Sequence, residues 1–144
     1  WADVSPETLS LTTLGGKGIG DAVNLETSLT LQTALGGHLV SGHVDGVGRV
    51  ERVVEDARFW RVTIAAPENL ARYIAMKGSI CVDGTSLTVN QVDGASFELT
   101  IIPQTWEETV FSKYQAGSSV NLEVDVIARY LERLMQYDQS PSES

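Results

Sequence analysis

The sequence predicts an all-β domain, an antiparallel sandwich or barrel, on three observations. Apolar residues recur mostly with period two, as half-buried strands require. Short turn signals separate the runs, at Gly15-Gly16, Gly46, Asp83-Gly84 and Asp93-Gly94. The alternation of strands with helices that builds a parallel sheet is missing.

Taken in order, Leu9 and Leu11 alternate with Ser10 and Thr12, and Val23 and Leu25 with Asn24 and Glu26. Both segments are predicted as strands. Residues Gly36 to Gly46 hold four glycines with His38 and His43, which predicts a bulged or bent strand with partly buried histidines. Trp60, Val62 and Ile64 alternate with Arg61 and Thr63. Pro67-Glu68-Asn69 opens a short helix through Tyr73 and Ile74, with Gly78 beyond its end. Cys81 and Val82 belong to an apolar strand, and no basic neighbour marks the thiol as reactive. Asp93-Gly94, between Leu87–Val92 and Ser96–Ile102, predicts a tight hairpin. Val120, Leu122 and Val124 alternate with Asn121 and Glu123. Ile127, Tyr130, Leu131, Leu134 and Met135 then fall on one helical stripe, with Arg129, Glu132, Arg133 and Gln136 on the other face. The polar end, Asp138 to Ser144, is predicted to be disordered.

At 144 residues and 42% hydrophobic, the chain has the size of one domain with an appendage. Such a domain needs no covalent staple. The single Cys81 excludes an intramolecular disulfide and suits a reducing cytosol, so a cytoplasmic protein is expected. A net charge of −9 repels nucleic acid, and no nucleic-acid partner is expected. The apolar runs are too short for a membrane span, and no signal peptide is recognised. The first residue is Trp1 and not methionine, which marks the sequence as a processed chain or a fragment.

An internal repeat is the most informative feature. Residues 6–26 match residues 103–123 at a constant offset of 97, with eight identities and no gap. Pro6, Thr8, Thr12 and Gly20 pair with Pro103, Thr105, Thr109 and Gly117. Val23-Asn24-Leu25-Glu26 pairs with Val120-Asn121-Leu122-Glu123. An offset of this size signals a duplicated domain and not a solenoid. The chain is therefore expected to hold the tail of one copy and all of a second.

Few motifs carry chemistry by themselves. His38 and His43 lack the further ligands a zinc site needs, and no metal is expected. The glycines of 42–48 precede no strand-turn-helix unit, so a dinucleotide fingerprint is not supported. Ser86 and Thr88 alternate with Leu87 and Val89, which puts both hydroxyls on one face, either solvated or lining a ligand site. No nucleophile elbow surrounds Ser86. Thr105 and Asp125 occupy positions where each can cap a following helix.

The blocks together resemble the riboflavin synthase family. They are Gly36-Gly37-His38-Leu39 with Ser41-Gly42-His43, Tyr73-Ile74 with Lys77-Gly78, and Asp83-Gly84 with Ser86-Leu87-Thr88-Val89. Ile102-Pro103, Thr105, Val120-Asn121 and Asp125 complete them. The resemblance runs from about Thr8 to Leu134 and implies two similar six-stranded antiparallel Greek-key barrels per chain. It assigns 1–30 to the end of an N-terminal barrel, 31–126 to a C-terminal lumazine-binding barrel, 127–137 to an oligomerisation helix and 138–144 to a tail. It also implies a homotrimer and no cofactor.

The family's reaction converts two molecules of 6,7-dimethyl-8-ribityllumazine into riboflavin and a ribitylaminopyrimidine by transfer of a four-carbon unit. The resemblance places Lys77, Ser86, Thr88, Ile102, Thr105 and His43 around the substrate. It gives Ser86, His43 and Asp125 catalytic roles. An alternative within the same architecture is a non-catalytic lumazine- or flavin-binding antenna protein. Most of the N-terminal barrel has no counterpart here, so this chain is expected to hold an incomplete site.

Overall fold

Period-two segments long enough to pair on both sides can close on themselves as a barrel. In the computed structural model, which describes residues 3–28, 30, 32 and 34–138, six strands form a closed antiparallel barrel. They are β1 (Gly46–Asp56), β2 (Phe59–Ala65), β3 (Ser79–Val82), β4 (Thr85–Asp93), β5 (Ser96–Ile101) and β6 (Ser119–Val124). The order around the barrel is β1-β2-β5-β4-β3-β6. β2 lies beside the end of the β3-β4-β5 meander and β6 beside its start, which makes two overlapping Greek keys. The predicted Asp93-Gly94 hairpin joins β4 to β5, with Gly94 at φ 59°.

Inward residues of each strand form the core, including Val62 and Ile64 of β2, Leu99 and Ile101 of β5, and Val120 and Leu122 of β6. All six are fully buried. Two 3₁₀ segments plug opposite ends of the barrel. Glu68–Tyr73, after β2, delivers Leu70, and Val110–Lys113, before β6, delivers Phe111. The predicted short helix is thus present as a 3₁₀ segment.

The repeat is visible in three dimensions. Helix α1 (Pro6–Leu11) and helix α2 (Pro103–Glu108) each begin on a proline and are followed by a threonine C-cap. Thr12 Oγ1 donates to Thr8 O at 2.7 Å, and Thr109 Oγ1 donates to Thr105 O at 2.6 Å. A 3₁₀ turn follows each helix, and Gly20 and Gly117 then take φ of 96° and 94°. Only glycine holds that backbone cheaply, which accounts for its presence in both copies.

Three expectations change here. Leu9 and Leu11 belong to α1 and not to a strand: the Ser5 cap and Pro6 in the first turn outweigh a short alternation. Val23 and Leu25 lie in irregular chain and pair with no strand among the described residues, whereas their counterparts Val120 and Leu122 sit in β6. Gly46 opens β1 and is not a turn, and residues 34–45 precede the barrel ladder.

Helix α3 (Val126–Asp138) confirms the C-terminal stripe but turns it outward. Ile127, Tyr130, Leu131, Leu134 and Met135 are all exposed. The polar face docks instead. Arg129 pairs with the buried Asp45, and Glu132 accepts hydrogen bonds from Tyr73 and, at 2.8 Å, from Arg72. The expected tail falls outside the described residues from position 139 onward, as does Trp1. No helix among the described residues is long and apolar enough to cross a membrane.

Candidate functional site

The barrel parts at one corner, and the candidate residues gather there. β4 pairs with β5 only as far as Val89↔Leu99. Yet β4 continues back to Thr85 along β3, and β5 continues to Ile101 along β2. Thr85–Thr88 and Thr100–Ile101 therefore flank a gap with unpaired strand edges facing each other. Asn90 marks its inner limit, where its Oδ1 accepts the Thr100 amide at 2.8 Å. Ser86 and Thr88 stand on one side of the gap. Ile102 and Thr105 stand on the other, at the start of α2. Lys77, at φ 67°, donates its amide to Val89 O at 2.8 Å beside the last ladder pair.

α2 is held rigidly. Trp106 stacks flat on Trp60 of β2, with ring centroids 4.5 Å apart and planes 1° from parallel. Thr105 lies inside this helix and does not cap it. The N-cap is Ile102, with Pro103 at the first position, and the carbonyl of Thr105 receives the Thr109 amide and hydroxyl.

The partner of Ser86 is His38. The His38 amide donates to Ser86 Oγ at 3.2 Å, and His38 Nδ1 lies 2.7 Å from the same oxygen. Oγ keeps one lone pair and its hydrogen beside that amide, so it donates to Nδ1 or accepts from it according to the imidazole tautomer. His38 Nε2 is buried and makes no hydrogen bond among the described residues. Gly37 permits the contact, since a Cβ there would fall 2.2 Å from Ser86 Oγ. The residue types alone did not single out His38 over His43. The glycine pair before it was the available signal, because it lets backbone approach a strand closely.

His43 and Asp125 lie elsewhere, along the margin where β1 begins and β6 ends. Asp125 caps α3: its Oδ1 accepts the Ile127 amide at 3.0 Å. His43 lines two hollows, a groove of about 1140 Å³ against residues 7–24 and a cavity of about 340 Å³ beside Arg129 and Arg133. Ser86 and Thr105 line neither, and Gly37 and His38 pack against Ser86.

Two buried carboxylates at this margin were not anticipated. Glu123 accepts from the Ser41 amide and hydroxyl, both at 2.7 Å, and from the Gly42 amide at 2.9 Å. Three donors offset the cost of burying its charge and fix the chain entering β1. Asp45 receives the Val124 amide at 2.8 Å besides Arg129. Cys81 faces Glu123 across the β3–β6 ladder. Desolvation, reinforced by that carboxylate, pushes its thiol up to about 12, which makes it inert. At the β3–β4 turn, Asp83 accepts from Tyr114 and from the Asn121 amide at 2.7 Å. Burial and the Asp83 charge raise the Tyr114 phenol, so it stays a donor. No three His, Cys, Asp or Glu side chains converge for a metal among the described residues.

The "Lumazine binding domain" family model matches residues 41–125. Riboflavin synthase of Photobacterium phosphoreum is 47% identical over 137 residues, which cover 95% of this chain and 63% of the relative. Those of Brucella abortus (strain 2308) and Mycobacterium tuberculosis (strain ATCC 25618 / H37Rv) are each 45% identical, over 95% and 94% of this chain and 69% of either relative. The chain thus spans about two thirds of the length of its curated relatives. Among solved structures, LumP complexed with riboflavin superposes with a TM-score of 0.74 at 24% identity, over 82% of this chain and 64% of that one, a likeness of fold. On the family model and these relatives together, the chain belongs to the riboflavin synthase family of lumazine-binding domains.

Proposed function

We propose that the chain supplies the C-terminal ligand-binding barrel of a riboflavin synthase, with 6,7-dimethyl-8-ribityllumazine as substrate and riboflavin as product. The observation that carries this reading is the parted β4–β5 corner. It offers two strand edges that do not pair with each other for a flat heteroaromatic ring, and hydroxyls of Ser86, Thr88 and Thr105 for a ribityl chain. LumP, of the same fold, is complexed with this lumazine in one structure and with riboflavin in another.

The reaction fits a protein without a cofactor. Two lumazine molecules supply every atom of both products, so no oxidant or reductant is consumed. One molecule loses a proton from its ring methyl, while the other accepts a nucleophile at the adjacent ring carbon. In the tautomer that carries its proton on Nε2, His38 accepts from the Ser86 hydroxyl, which is then placed to add to that carbon or to activate a water as the imidazole takes the proton. Thr88, Lys77 and Thr105 hold the ring and the ribityl chain, with Ile102 in apolar contact. His43 and Asp125 are assigned to the margin where a second barrel completes the site.

Residues 3–28 read as the trailing part of that second kind of barrel, because α1 and its turn reproduce α2 and its turn. The outward apolar stripe of α3 is assigned to assembly into a homotrimer. A cytoplasmic site of action accords with the buried free thiol.

A chimera tests the whole reading: this chain replaces the matching 63% of the Photobacterium phosphoreum relative. It should convert the lumazine to riboflavin. A folded chimera that binds the lumazine and yields no riboflavin would overturn the enzymatic reading in favour of an antenna protein.

A further inference from the structure

Asn24 lies outside the barrel, yet it joins the two walls of the parted corner. Its Oδ1 accepts the Val110 amide at 2.9 Å, and its Nδ2 donates to Asp83 O at 2.7 Å and reaches Thr85 Oγ1 at 3.5 Å. Val110 opens the 3₁₀ turn that follows α2, the helix of Thr105. Asp83 and Thr85 bracket the turn from which β4 rises to Ser86. The barrel contributes its own tie at the same turn, from Tyr114 to Asp83. Asn24 adds one from the first repeat.

The repeat returns the favour. Asn121, the counterpart of Asn24, accepts the Thr13 amide through Oδ1 at 2.7 Å and donates to Thr13 Oγ1 at 3.0 Å. Thr13 is itself the counterpart of Val110 at the offset of 97. Each repeat therefore hands an asparagine to the same 3₁₀ turn of the other, as a two-fold relation between duplicated units demands.

We propose that Asn24 is a positioning residue for the candidate ligand site: docking of the first repeat sets the spacing between β4 and α2, and ligand affinity in this barrel depends on it. The inference rests on reading the parted corner as the ligand site. It assigns Asn24 no contact with substrate. The two polar ends of one amide serve different walls, so they can be separated by substitution. Asn24→Ala removes both. Asn24→Asp keeps an acceptor for the Val110 amide but sets a carboxylate against the Asp83 carbonyl.

The whole 144-residue chain is used, with Ser5→Ala as the control, since Ser5 caps α1 through the Thr8 amide and touches neither wall. The first readout needs no ligand. Amide hydrogen exchange at residues 83–88 should speed about tenfold in both Asn24 variants, with Val110 still protected in Asn24→Asp alone. The second is riboflavin fluorescence titration, in which both variants should bind about tenfold more weakly than the parent while Ser5→Ala stays within about twofold. Unchanged exchange at 83–88 in Asn24→Ala overturns the proposal, as does riboflavin affinity within about twofold of the parent. A parent that ignores riboflavin refutes the ligand site itself, and the exchange readout still decides whether Asn24 holds the two walls together.

Discussion

His38 Nδ1 lies 2.7 Å from Ser86 Oγ, and the His38 amide donates to the same oxygen at 3.2 Å. A histidine from the segment before the barrel thus meets a serine from its fourth strand. General acid–base help of this kind is worth about 10²- to 10⁴-fold in rate. In the chimera, Ser86→Ala and His38→Gln should each lower riboflavin formation by about 10²-fold or more while leaving the barrel folded. Turnover that survives both substitutions removes the pair from the mechanism.

Gly37 offers a gentler test of the same contact. An alanine Cβ would sit 2.2 Å from Ser86 Oγ, so the segment must lift away. Gly37→Ala should expose the His38 amide to hydrogen exchange at least about tenfold faster, with strands β1, β2 and β5 unchanged. Equal protection in parent and variant would show that His38 does not depend on this approach.

α3 faces its apolar stripe to solvent and its charges to the barrel, the reverse of an ordinary surface helix. Such a face needs a partner. In the chimera, Leu131→Asp with Leu134→Asp should convert a trimer to monomers in sedimentation, with circular dichroism of the barrel unaltered. A trimer that persists would place the subunit contact on another surface.

The docking of α3 also has a sign with pH. Hydrogen bonds from Tyr73 first, and Arg72 next, hold the Glu132 carboxyl below its usual range. A carboxyl lowered on folding stabilises the docked helix above its unfolded pKa and ceases to do so as pH falls through the folded value. The Tyr73 phenol is raised, chiefly by the same Glu132 bond, so its contribution is complete below its unfolded pKa and is lost as pH rises through the folded one. Proteolysis of α3 should therefore be constant around neutral pH and accelerate both below the carboxylate range and at strongly alkaline pH. In Glu132→Gln the acid limb should weaken, leaving the Arg129–Asp45 pair as the remaining carboxylate tie.

Much of the barrel was legible because β2, β5 and β6 alternate and the β4–β5 hairpin carries Asp93-Gly94. The repeat was legible as well: it paired residues 6–26 with 103–123, the stretches that hold α1 and α2, although Leu9 and Leu11 read as a strand. Leu9 and Leu11 misled because two alternating leucines fit a helix edge as readily as a strand, and the cap at Ser5 decided the matter. Ser86, Thr88 and Ile102 could be placed by family blocks, but the parted corner could not. It depends on where a ladder stops, and the bulge between Val89 and Gln91 has no period of its own. Glu123 and Asp45 escaped notice for a related reason. Their donors are backbone amides of Ser41, Gly42 and Val124, which every sequence possesses.

Phe111 measures how strongly the barrel end is sealed. It is fully buried and tilts against Tyr114 at 4.8 Å between ring centroids. Phe111→Ala should cost about 3–5 kcal/mol in chemical denaturation. Leu14, its counterpart in the first repeat, is only half-buried, and Leu14→Ala should cost less than about 2 kcal/mol. Equal costs would mean that the first repeat packs as tightly as the barrel.

The central claim is that the parted β4–β5 corner binds the lumazine. Titrating 6,7-dimethyl-8-ribityllumazine fluorescence with this chain tests it most directly. The account predicts saturation at one ligand per chain, with affinity reduced about tenfold when Thr88→Val and Thr105→Val remove two hydroxyls from the corner. A parent that leaves the fluorescence unchanged, or a double variant that binds as the parent does, would contradict it.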